Sequence, residues 1–229
     1  MSKEKLYIFD TTLRDGAQTQ GVDFNVQDKI KIANILSDIG VDYIEGGWPG
    51  SNPVDTEFFS KELTFNKSIF TAFGMTKKTG RSADNDPSLS PLINASCPAV
   101  CIVGKAWDFH VKVALGIKNE ENLENIRETG KHIVKNKKEF LFDAEHFFDG
   151  YKENPNYALD CLKHAYDSGA RWIVLCDTNG GTLPSEVGDI VNKVSKIIPG
   201  KNLGIHAHND TENAVANSLT AILAGARQV

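Results

Sequence analysis

Short apolar runs alternate with longer amphipathic segments along most of the chain. Each run has the length of a strand and few polar residues, as in strands that are covered on both faces. The pattern predicts seven strands, at residues 6–9, 41–45, 68–73, 99–103, 139–145, 171–176 and 202–206. Seven strands in series, each followed by a helix-like segment, predict a parallel sheet that is covered by helices.

The segments between the strands place their apolar residues at helical spacing. The first predicted helix follows Asn25, whose side chain suits a helix cap, and ends at Gly40. The last helix is predicted to be capped by Asp210 and Thr211 and to extend through Leu223. Further helices are predicted at residues 53–63, 87–95, 120–134, 155–169 and 184–198.

Two α/β architectures accommodate these units: an open doubly wound sheet and a (β/α)8 TIM barrel. Polar residues follow nearly every predicted strand, which favours the barrel because barrel sites collect residues from the carboxyl ends of all strands. They are Arg14, Glu45, Glu145, Asp177 and His206. No Gly-x-Gly-x-x-Gly pattern follows the first strand, which weakens the dinucleotide-binding alternative.

The strand count predicts an incomplete barrel. A barrel needs eight strands, and residues 226–229 are at most the start of the eighth. We therefore expect residues 1–229 to form one TIM-barrel catalytic domain that is truncated at the start of strand 8. Such a domain would expose two strand edges, which invites aggregation unless they are covered. The expected explanation is a fragment of a longer protein, rather than a naturally short one.

Composition is that of an ordinary globular protein. Apolar residues make up 41% and charged residues 24% of the 229 residues, and the net charge of −5 argues against nucleic acid as a partner. No apolar run approaches the roughly 20 residues that a membrane span requires, and the N-terminus has no signal-peptide core. Four cysteines without a Cys-x-x-Cys pair indicate reduced, buried thiols in a cytoplasmic protein.

A strongly polar loop follows the first predicted strand. It comprises residues 10–18, with the sequence Asp-Thr-Thr-Leu-Arg-Asp-Gly-Ala-Gln. Three charged residues and two hydroxyls crowd one turn, and Gly16 allows backbone shapes that other residues resist. This composition is typical of the edge of a functional site. A charged surface loop is the alternative.

A second informative stretch comprises residues 206–210, with the sequence His-Ala-His-Asn-Asp. Residues two apart on a strand face the same way, so the imidazoles of His206 and His208 are predicted to point at one spot. Two imidazoles and one carboxylate are a common ligand set for a divalent metal and leave positions open for substrate or water. Alternatively, both histidines only satisfy hydrogen bonds at a strand end.

Residues from other strands complete the candidate site. In a closed barrel the loops after strands 1 and 7 lie on one face, so Asp15 is the natural third metal ligand. Arg14 supplies permanent positive charge for an oxyanion or a carboxylate. Glu145 suits acid–base catalysis or, alternatively, a supporting hydrogen bond. Thr178 offers a hydroxyl, and a plain turn role for residues 177–180 is the alternative.

Together these stretches resemble a family of metal-dependent enzymes that carry out Claisen condensations of acyl-CoA. The resemblance rests on residues 10–18 and 206–210 and covers essentially the whole chain. The family includes isopropylmalate, homocitrate and citramalate synthases, and hydroxymethylglutaryl-CoA (HMG-CoA) lyase is a relative. Residues 43–53, with the sequence Tyr-Ile-Glu-Gly-Gly-Trp-Pro-Gly-Ser-Asn-Pro, and residues 104–111 are similar to the citramalate synthase branch.

The resemblance implies a TIM barrel with a divalent metal held by Asp15, His206 and His208. The sequence does not distinguish Mn²⁺, Mg²⁺, Zn²⁺ and Co²⁺ as that metal. The implied substrates are pyruvate and, as co-substrate, acetyl-CoA, which would yield citramalate and CoA on the pyruvate route to isoleucine. The resemblance implies that the full-length synthases are homodimers with helical subdomains and a C-terminal regulatory domain, and this sequence is not expected to contain those added domains.

The resemblance also implies roles for single residues. Arg14 would contact the substrate and stabilise negative charge on its oxygen. Glu145 matches the family glutamate implicated in removing a proton from the acetyl methyl group. Thr178 matches the threonine near the substrate carboxylate, and Gln18, which closes the first-loop motif, is expected to bind substrate.

Several alternatives remain open. A sister isopropylmalate or homocitrate synthase would use a bulkier 2-oxo acid, and an HMG-CoA lyase-like enzyme would cleave its substrate. A non-catalytic fragment would bind metal without turnover. We expect the 229-residue chain alone to have low or no synthase activity, because it stops before strand 8.

Overall fold

Seven strands form one parallel sheet in the computed structural model, which describes residues 4–229. Each strand pairs with its neighbours in sequence, so the sheet order runs from β1 to β7. The strands are β1 (Phe9–Asp10), β2 (Tyr43–Gly47), β3 (Ile69–Met75), β4 (Ala99–Lys105), β5 (Glu139–Glu145), β6 (Trp172–Asp177) and β7 (Leu203–Ala207). All seven predicted strands are confirmed as elements, although β2, β3 and β4 end two residues later than predicted and β1 shares only Phe9 with its predicted range.

The sheet curls until its last residues approach its first strand. Residues 227–229 hydrogen-bond on one side to β7 and on the other to the segment before β1. The amide of Arg227 donates to Leu203 O (2.9 Å), and the amide of Val229 donates to Tyr7 O (3.0 Å). The two edges, which we expected to be open, are therefore bridged at the N-terminal ends of the strands. Toward the carboxyl ends, a cavity of about 210 Å³ lies between them.

Nine helices connect the strands within residues 4–229. They are α1 (Val26–Ile39), α2 (Pro53–Ser60), α3 (Ser90–Asn94), α4 (Asp108–His110), α5 (Asn119–Lys135), α6 (Phe147–Glu153), α7 (Pro155–Asp167), α8 (Pro184–Val194) and α9 (Ala214–Leu223). The sequence did not predict α4 or α6. Helix α4 continues into a π-helical turn at Val111–Leu115. None of these described helices has the length and apolar character that crossing a membrane requires.

Local signals set the ends of α1 as predicted. The Asn25 side chain accepts a hydrogen bond from Asp28 N (3.0 Å), and the Asp28 carboxylate accepts one from Asn25 N (3.3 Å). These reciprocal bonds satisfy amides that the first helical turn leaves without partners. Gly40 ends the helix with a φ of 89°, a left-handed conformation that glycine adopts without steric cost.

The start of α9 differs from the prediction, which placed its cap at Asp210 and Thr211. The Thr211 hydroxyl instead donates to Gly180 O (2.5 Å), in the loop after β6. The Asn209 side chain accepts a hydrogen bond from the amide of Ala214, where the helix begins (3.1 Å). The predicted cap was wrong because its hydroxyl ties the loops after β6 and β7 to each other.

The strands bury one set of side chains inside the curl and the other against the helices. In β6, Trp172, Val174 and Cys176 pack inside the curl, whereas Ile173 and Leu175 belong to the core between sheet and helices. The core inside the curl is filled mainly by aromatic and aliphatic groups. Polar side chains collect above it, at the carboxyl ends of the strands.

The four cysteines are free and buried, as the sequence predicted; they are Cys97, Cys101, Cys161 and Cys176. Burial raises the pKa of the Cys101 thiol well above its ordinary value. Burial likewise raises the pKa of the Cys176 thiol. These two thiols are therefore protonated at neutral pH and poor nucleophiles.

A buried lysine ties the first loop to the second strand. Lys29, on α1, is only 3% exposed. Its ammonium donates to Leu13 O (2.9 Å) and to Gly46 O (2.9 Å). It also forms an ion pair with Asp55, in the first turn of α2. All three ammonium hydrogens thus have acceptors, and the carbonyl of Leu13 fixes the chain directly before Arg14.

Substituting Lys29→Met should lower the free energy of unfolding by about 3–5 kcal/mol, because Asp55 would be left as a buried charge without its partner. Urea denaturation followed by circular dichroism measures this quantity. Lys31→Met, at an exposed position of the same helix, is the matched control and should stay within about 0.5 kcal/mol of the parent. A loss below about 1 kcal/mol in K29M would show that this ion pair is no stronger than a surface one.

Candidate active site

A cavity of about 310 Å³ opens at the carboxyl ends of the strands. Its walls combine the loops after β1, β6 and β7 with residues at the ends of the other strands. The residues predicted for the site all line it: Arg14, Asp15, Gln18, Glu145, Thr178, His206 and His208. The structure therefore brings these residues together, while the chemical roles assigned to them stay predictions.

The first loop is shaped by one carbonyl. Thr11 O accepts hydrogen bonds from the amides of Arg14 (3.1 Å), Asp15 (2.9 Å) and Gly16 (3.1 Å). A tight turn results, and a short 3-10 helix, Gly16–Gln18, follows it. The turn directs the side chains of the arginine and the aspartate to the cavity, where both are among the lining residues.

Asp15, His206 and His208 form a compact set of possible metal ligands. One ligand atom from each lies within 4.8 Å of the other two. The imidazoles stack with their centroids 4.9 Å apart, and His206 Nε2 lies 3.5 Å from Asp15 Oδ2. The neighbouring His206 and Arg14 lower the pKa of the Asp15 carboxyl to about 2. The aspartate is therefore an anionic oxygen ligand at neutral pH, beside two nitrogen ligands.

Arg14 is fixed by two carboxylates and an aromatic ring. Its Nε donates to Glu45 Oε2 (2.6 Å), and its Nη1 donates to Asp15 Oδ1 (3.0 Å). The guanidinium carbon lies 4.1 Å from the centroid of the Phe73 ring. Burial disfavours the guanidinium charge, but Glu45 and the other nearby carboxylates outweigh that effect and raise the pKa of Arg14. The arginine is therefore a permanent, oriented cation in the cavity wall.

A second layer of carboxylates lies beneath the site. Glu45 is fully buried and Asp143 is 6% exposed, and their oxygens lie within 4.8 Å of each other and of Cys101 Sγ. Burial raises the pKa of both carboxyls, although Arg14 opposes the shift. Glu45 Oε1 is buried without a hydrogen-bond partner in the described part of the chain. This layer is short of positive charge.

The donor set and the local charge both fit a divalent cation. Asp15 is anionic beside Arg14, and Glu45 and Asp143 lie beneath it. Burial favours the neutral forms of these two carboxyls, and a cation above them would favour their charged forms. Two imidazole nitrogens and one carboxylate oxygen are ligands shared by several first-row metals and Mg²⁺. These residues therefore fit the metal that the family resemblance implies.

Glu145 stands on the opposite wall of the cavity, at the end of β5. Its Cα is the register partner of Lys105 on β4, and the two side chains form an ion pair. Their side chains are 24% and 17% exposed, respectively. The carboxylate is therefore accessible to a substrate in the cavity and oriented by the ammonium.

Thr178 is coupled to the residue after Glu145. Its Oγ1 accepts a hydrogen bond from the amide of His146 (2.9 Å). His146 has a φ of 53°, a left-handed conformation that non-glycine residues seldom adopt. Such backbone strain is common at functional sites. Here it turns the chain sharply from β5 into α6, so that the strand ends at the cavity.

The sequence did not single out several residues that line the cavity: Trp48, Phe73, Met75, Val103, Lys105 and Asp143. For Asp143 a signal existed, since it is polar in an apolar strand and lies two residues before Glu145 on the same strand face. The position of Lys105 depends on strand register, which the sequence does not reveal. Glu45 was noted only as a polar residue after a strand, although it holds Arg14.

Comparison with known proteins gives a consistent result. The family model described as HMGL-like matches residues 5–229. An (R)-citramalate synthase from Aquifex aeolicus is 55% identical over 99% of this chain and 43% of its own length. A 2-isopropylmalate synthase from Sulfolobus acidocaldarius is 34% identical over all of this chain and 57% of its own length. The chain thus spans less than half the length of the citramalate synthase.

Solved structures support the fold. The HMG-CoA lyase from Brucella melitensis superposes with a TM-score of 0.81 at 18% identity, covering 99% of this chain and 80% of the lyase. At that identity the likeness concerns the fold alone. The match to the family model covers nearly the whole chain and includes all the cavity residues named above. The predicted family is therefore confirmed: the chain belongs to the HMGL-like family.

Proposed function

We propose that the chain is the catalytic region of a citramalate synthase, which condenses acetyl-CoA with pyruvate to citramalate and CoA. The observation that carries the proposal is the grouping of Asp15, His206 and His208 beside Arg14, opposite Glu145. The closer similarity to (R)-citramalate synthases than to 2-isopropylmalate synthases supports the choice of reaction. In this proposal the enzyme is a cytoplasmic acyltransferase, and the complete protein is a homodimer.

Asp15, His206 and His208 would hold the divalent metal. When bound, the metal would supply Lewis acidity to the carbonyl of the 2-oxo acid. The Arg14 guanidinium, which is fixed by Glu45, would donate hydrogen bonds to the oxygen on which negative charge develops. Because the guanidinium is already oriented, little reorganisation is needed as the charge forms.

Glu145 would remove the proton from the acetyl methyl group. Its carboxylate lines the same cavity as the metal ligands but on the β5 side. A base on one wall and the oxo acid on the other would bring the new carbanion and the ketone carbon together. Hydrolysis of the resulting thioester would then release CoA. Thr178 and Gln18, which also line the cavity, would orient the carboxylate of the oxo acid.

The apolar part of the wall supports a small oxo acid. Trp48 and Phe73 pack edge to face with centroids 5.7 Å apart, and Met75 and Val103 stand beside them. These side chains narrow a cavity of about 310 Å³ that must also admit the acetyl thioester. A methyl substituent would need less of this space than a branched one, and on that ground we propose pyruvate rather than the oxo acid of an isopropylmalate synthase.

We also propose that the curled sheet belongs to an eight-stranded TIM barrel whose last strand begins at residues 227–229. Exposed apolar residues flank the junction between β7 and β1. Val215, Leu219 and Leu223 on α9 are 73%, 57% and 89% exposed, and Ile35 and Ile39 on α1 are 60% and 71% exposed. Spacings of four place each group on one helix face. A helix following strand 8 would cover both faces, as in other TIM barrels.

Metal binding tests the first part of the proposal. His206→Ala and His208→Ala should each weaken Mn²⁺ or Zn²⁺ binding about 100-fold or more, which is about 3 kcal/mol, because each removes one of three ligands. Isothermal titration calorimetry measures the dissociation constant. His164→Ala, on α7, is the control and should bind like the parent. Equal binding by all of these variants would contradict the ligand assignment.

Substrate choice tests the reaction. The complete gene product should release CoA from acetyl-CoA with pyruvate at a kcat/KM at least about tenfold above that with 2-oxoisovalerate or 2-oxoglutarate. A mismatch of one or two carbons costs about that much, and 2-oxoglutarate also adds a carboxylate. A thiol reagent detects the free CoA. Glu145→Gln should lower kcat about 10²–10⁴-fold. Preference for 2-oxoisovalerate, or cleavage of HMG-CoA, would favour the sister synthase or the lyase instead.

The substitution Leu223→Lys tests whether a helix that follows strand 8 covers α9. In the 229-residue chain this substitution should change the free energy of unfolding by less than about 0.5 kcal/mol, because the side chain is exposed. In the complete gene product the same change should cost about 2 kcal/mol or more, since a covered apolar position would receive a charge. Equal small effects in both proteins would contradict the proposed cover. The isolated chain is also expected to bind metal but to turn over poorly.

A further inference from the structure

We propose that Lys105 is a catalytic residue whose ammonium stabilises the oxyanion that forms on the acetyl thioester when Glu145 removes the methyl proton. The inference rests on the proposed function and assigns a role to a residue outside the predicted set. It starts from the ion pair between these two side chains inside the cavity.

Strand pairing places the two side chains side by side. Lys105 ends β4 and Glu145 ends β5, and their Cα atoms are direct partners in the parallel register. Both side chains therefore leave the sheet on the same face. Both line the cavity that holds the proposed metal ligands. The pair belongs to the cavity wall and is not a surface contact.

The end of β4 is held firmly from behind. Lys105 O accepts a hydrogen bond from Asn122 Nδ2 (2.8 Å), and Asn122 is fully buried. The same amide nitrogen donates to the Tyr157 hydroxyl (2.8 Å). The backbone from which the ammonium extends is therefore fixed by α5 and α7. A fixed donor costs less reorganisation when charge develops in front of it.

The ion pair leaves two ammonium hydrogens of Lys105 and one carboxylate oxygen of Glu145 available to a ligand. In the described residues, the Lys105 ammonium has one hydrogen-bond acceptor, Glu145 Oε2. An ammonium has three hydrogens, so two remain for a ligand. The ammonium occupies Oε2, and Oε1 is left to accept a proton. Because the side chain of Lys105 is 17% exposed, its charge is only partly screened by water.

A base and a hydrogen-bond donor placed side by side suit the enolisation of the acetyl group. The C–H bond of the acetyl methyl group breaks, its proton passes to Glu145 Oε1, and its electron pair forms a C=C bond. The carbonyl π electrons move to the thioester oxygen, which accepts hydrogen bonds from the ammonium. The electron pair of the C=C bond then forms the new C–C bond to the ketone carbon, while the π electrons of the ketone carbonyl move to its own oxygen, and the thioester carbonyl is restored. The resulting alkoxide takes up a proton from solvent. The methyl carbon and the carbonyl oxygen are bonded to the same carbon atom. A hydrogen-bond donor that is paired with the base is therefore within reach of that oxygen.

Arg14 and Lys105 would then stabilise negative charge on two different oxygens, that of the oxo acid and that of the thioester. The Arg14 guanidinium is held by Glu45 and Asp15, on the side of the metal ligands. It would serve the oxygen of the oxo acid. The Lys105 ammonium is held by Glu145, across the cavity, and would serve the oxygen of the thioester. This division gives each developing oxyanion its own preorganised donor.

Steady-state kinetics of the complete gene product with [²H₃]acetyl-CoA test the proposal. Lys105→Met should lower kcat about 10²–10³-fold, the usual effect of removing one oxyanion donor, with a KM for pyruvate close to that of the parent. The primary isotope effect on kcat should rise, because proton removal becomes more rate-limiting. Lys105→Arg, which keeps the charge, should recover at least about tenfold of the lost rate.

Lys152→Met is the control, because Lys152 pairs with Glu186 outside the cavity (3.7 Å), and its kinetics should match the parent. If circular dichroism shows that K105M does not fold, Lys105→Gln carries the same expectations. A kcat within about fivefold of the parent, or a lower kcat without a larger isotope effect, would overturn the proposal. If the unaltered protein releases no CoA from pyruvate and acetyl-CoA, the proposed function itself fails.

Discussion

The site depends on one guanidinium held between two carboxylates. Arg14 donates to buried Glu45 on one side and to Asp15 on the other. The first contact anchors the arginine in the sheet, and the second orients the carboxylate that faces the histidines. Without the guanidinium, Glu45 would be a buried charge without a partner, which is among the costliest arrangements in a protein. The first loop and β2 are therefore coupled electrostatically.

The same contacts bear on the proposed metal site. Burial disfavours charge on Glu45 and Asp143, whereas positive charge above them, such as that of Arg14, favours it. A divalent ion among Asp15 and the two histidines would add to that positive charge. Metal binding and the integrity of the carboxylate layer are thus parts of one electrostatic balance.

The fold supplies the precision that this balance needs. Lys29 fixes the carbonyl of Leu13 and thereby the position of the neighbouring arginine. His146, which has a left-handed backbone conformation, directly follows the end of β5 at Glu145. Its amide donates a hydrogen bond to Thr178 Oγ1. Each contact joins the loop of one strand to a neighbouring element, so the groups at the cavity are set by the sheet rather than by loose loops. Sites built on rigid elements hold reacting groups more precisely than sites on free loops.

Sequence patterns predicted the strands and the position of the site because parallel strands place their carboxyl ends on one face. Asp15 and His206 are distant in sequence, yet Asp15 follows β1 and His206 lies near the end of β7, and that was sufficient to bring them together. Lys105 was not predictable, because its significance depends on its register with Glu145. The left-handed conformation of His146 had no signal either, since no glycine marks the turn.

The link between the ends of the sheet was also beyond the sequence. Three residues, 227–229, are too few for their pattern to predict a strand. Their hydrogen bonds depend on how far the sheet curls. Likewise, Thr211 had the composition of a helix cap, but its hydroxyl binds Gly180 O in a distant loop. Both differences arise from tertiary contacts, which in the case of Thr211 overrode a local signal.

Asp15, His206 and His208 are proposed to share one divalent cation. Crystals grown with Zn²⁺ and measured at a wavelength where zinc scatters anomalously test this sharing directly. One strong anomalous peak is expected about 2.0–2.2 Å from a carboxylate oxygen of Asp15 and from one nitrogen of each histidine. A well-ordered cavity without such a peak, or a peak bound by other residues, would contradict it.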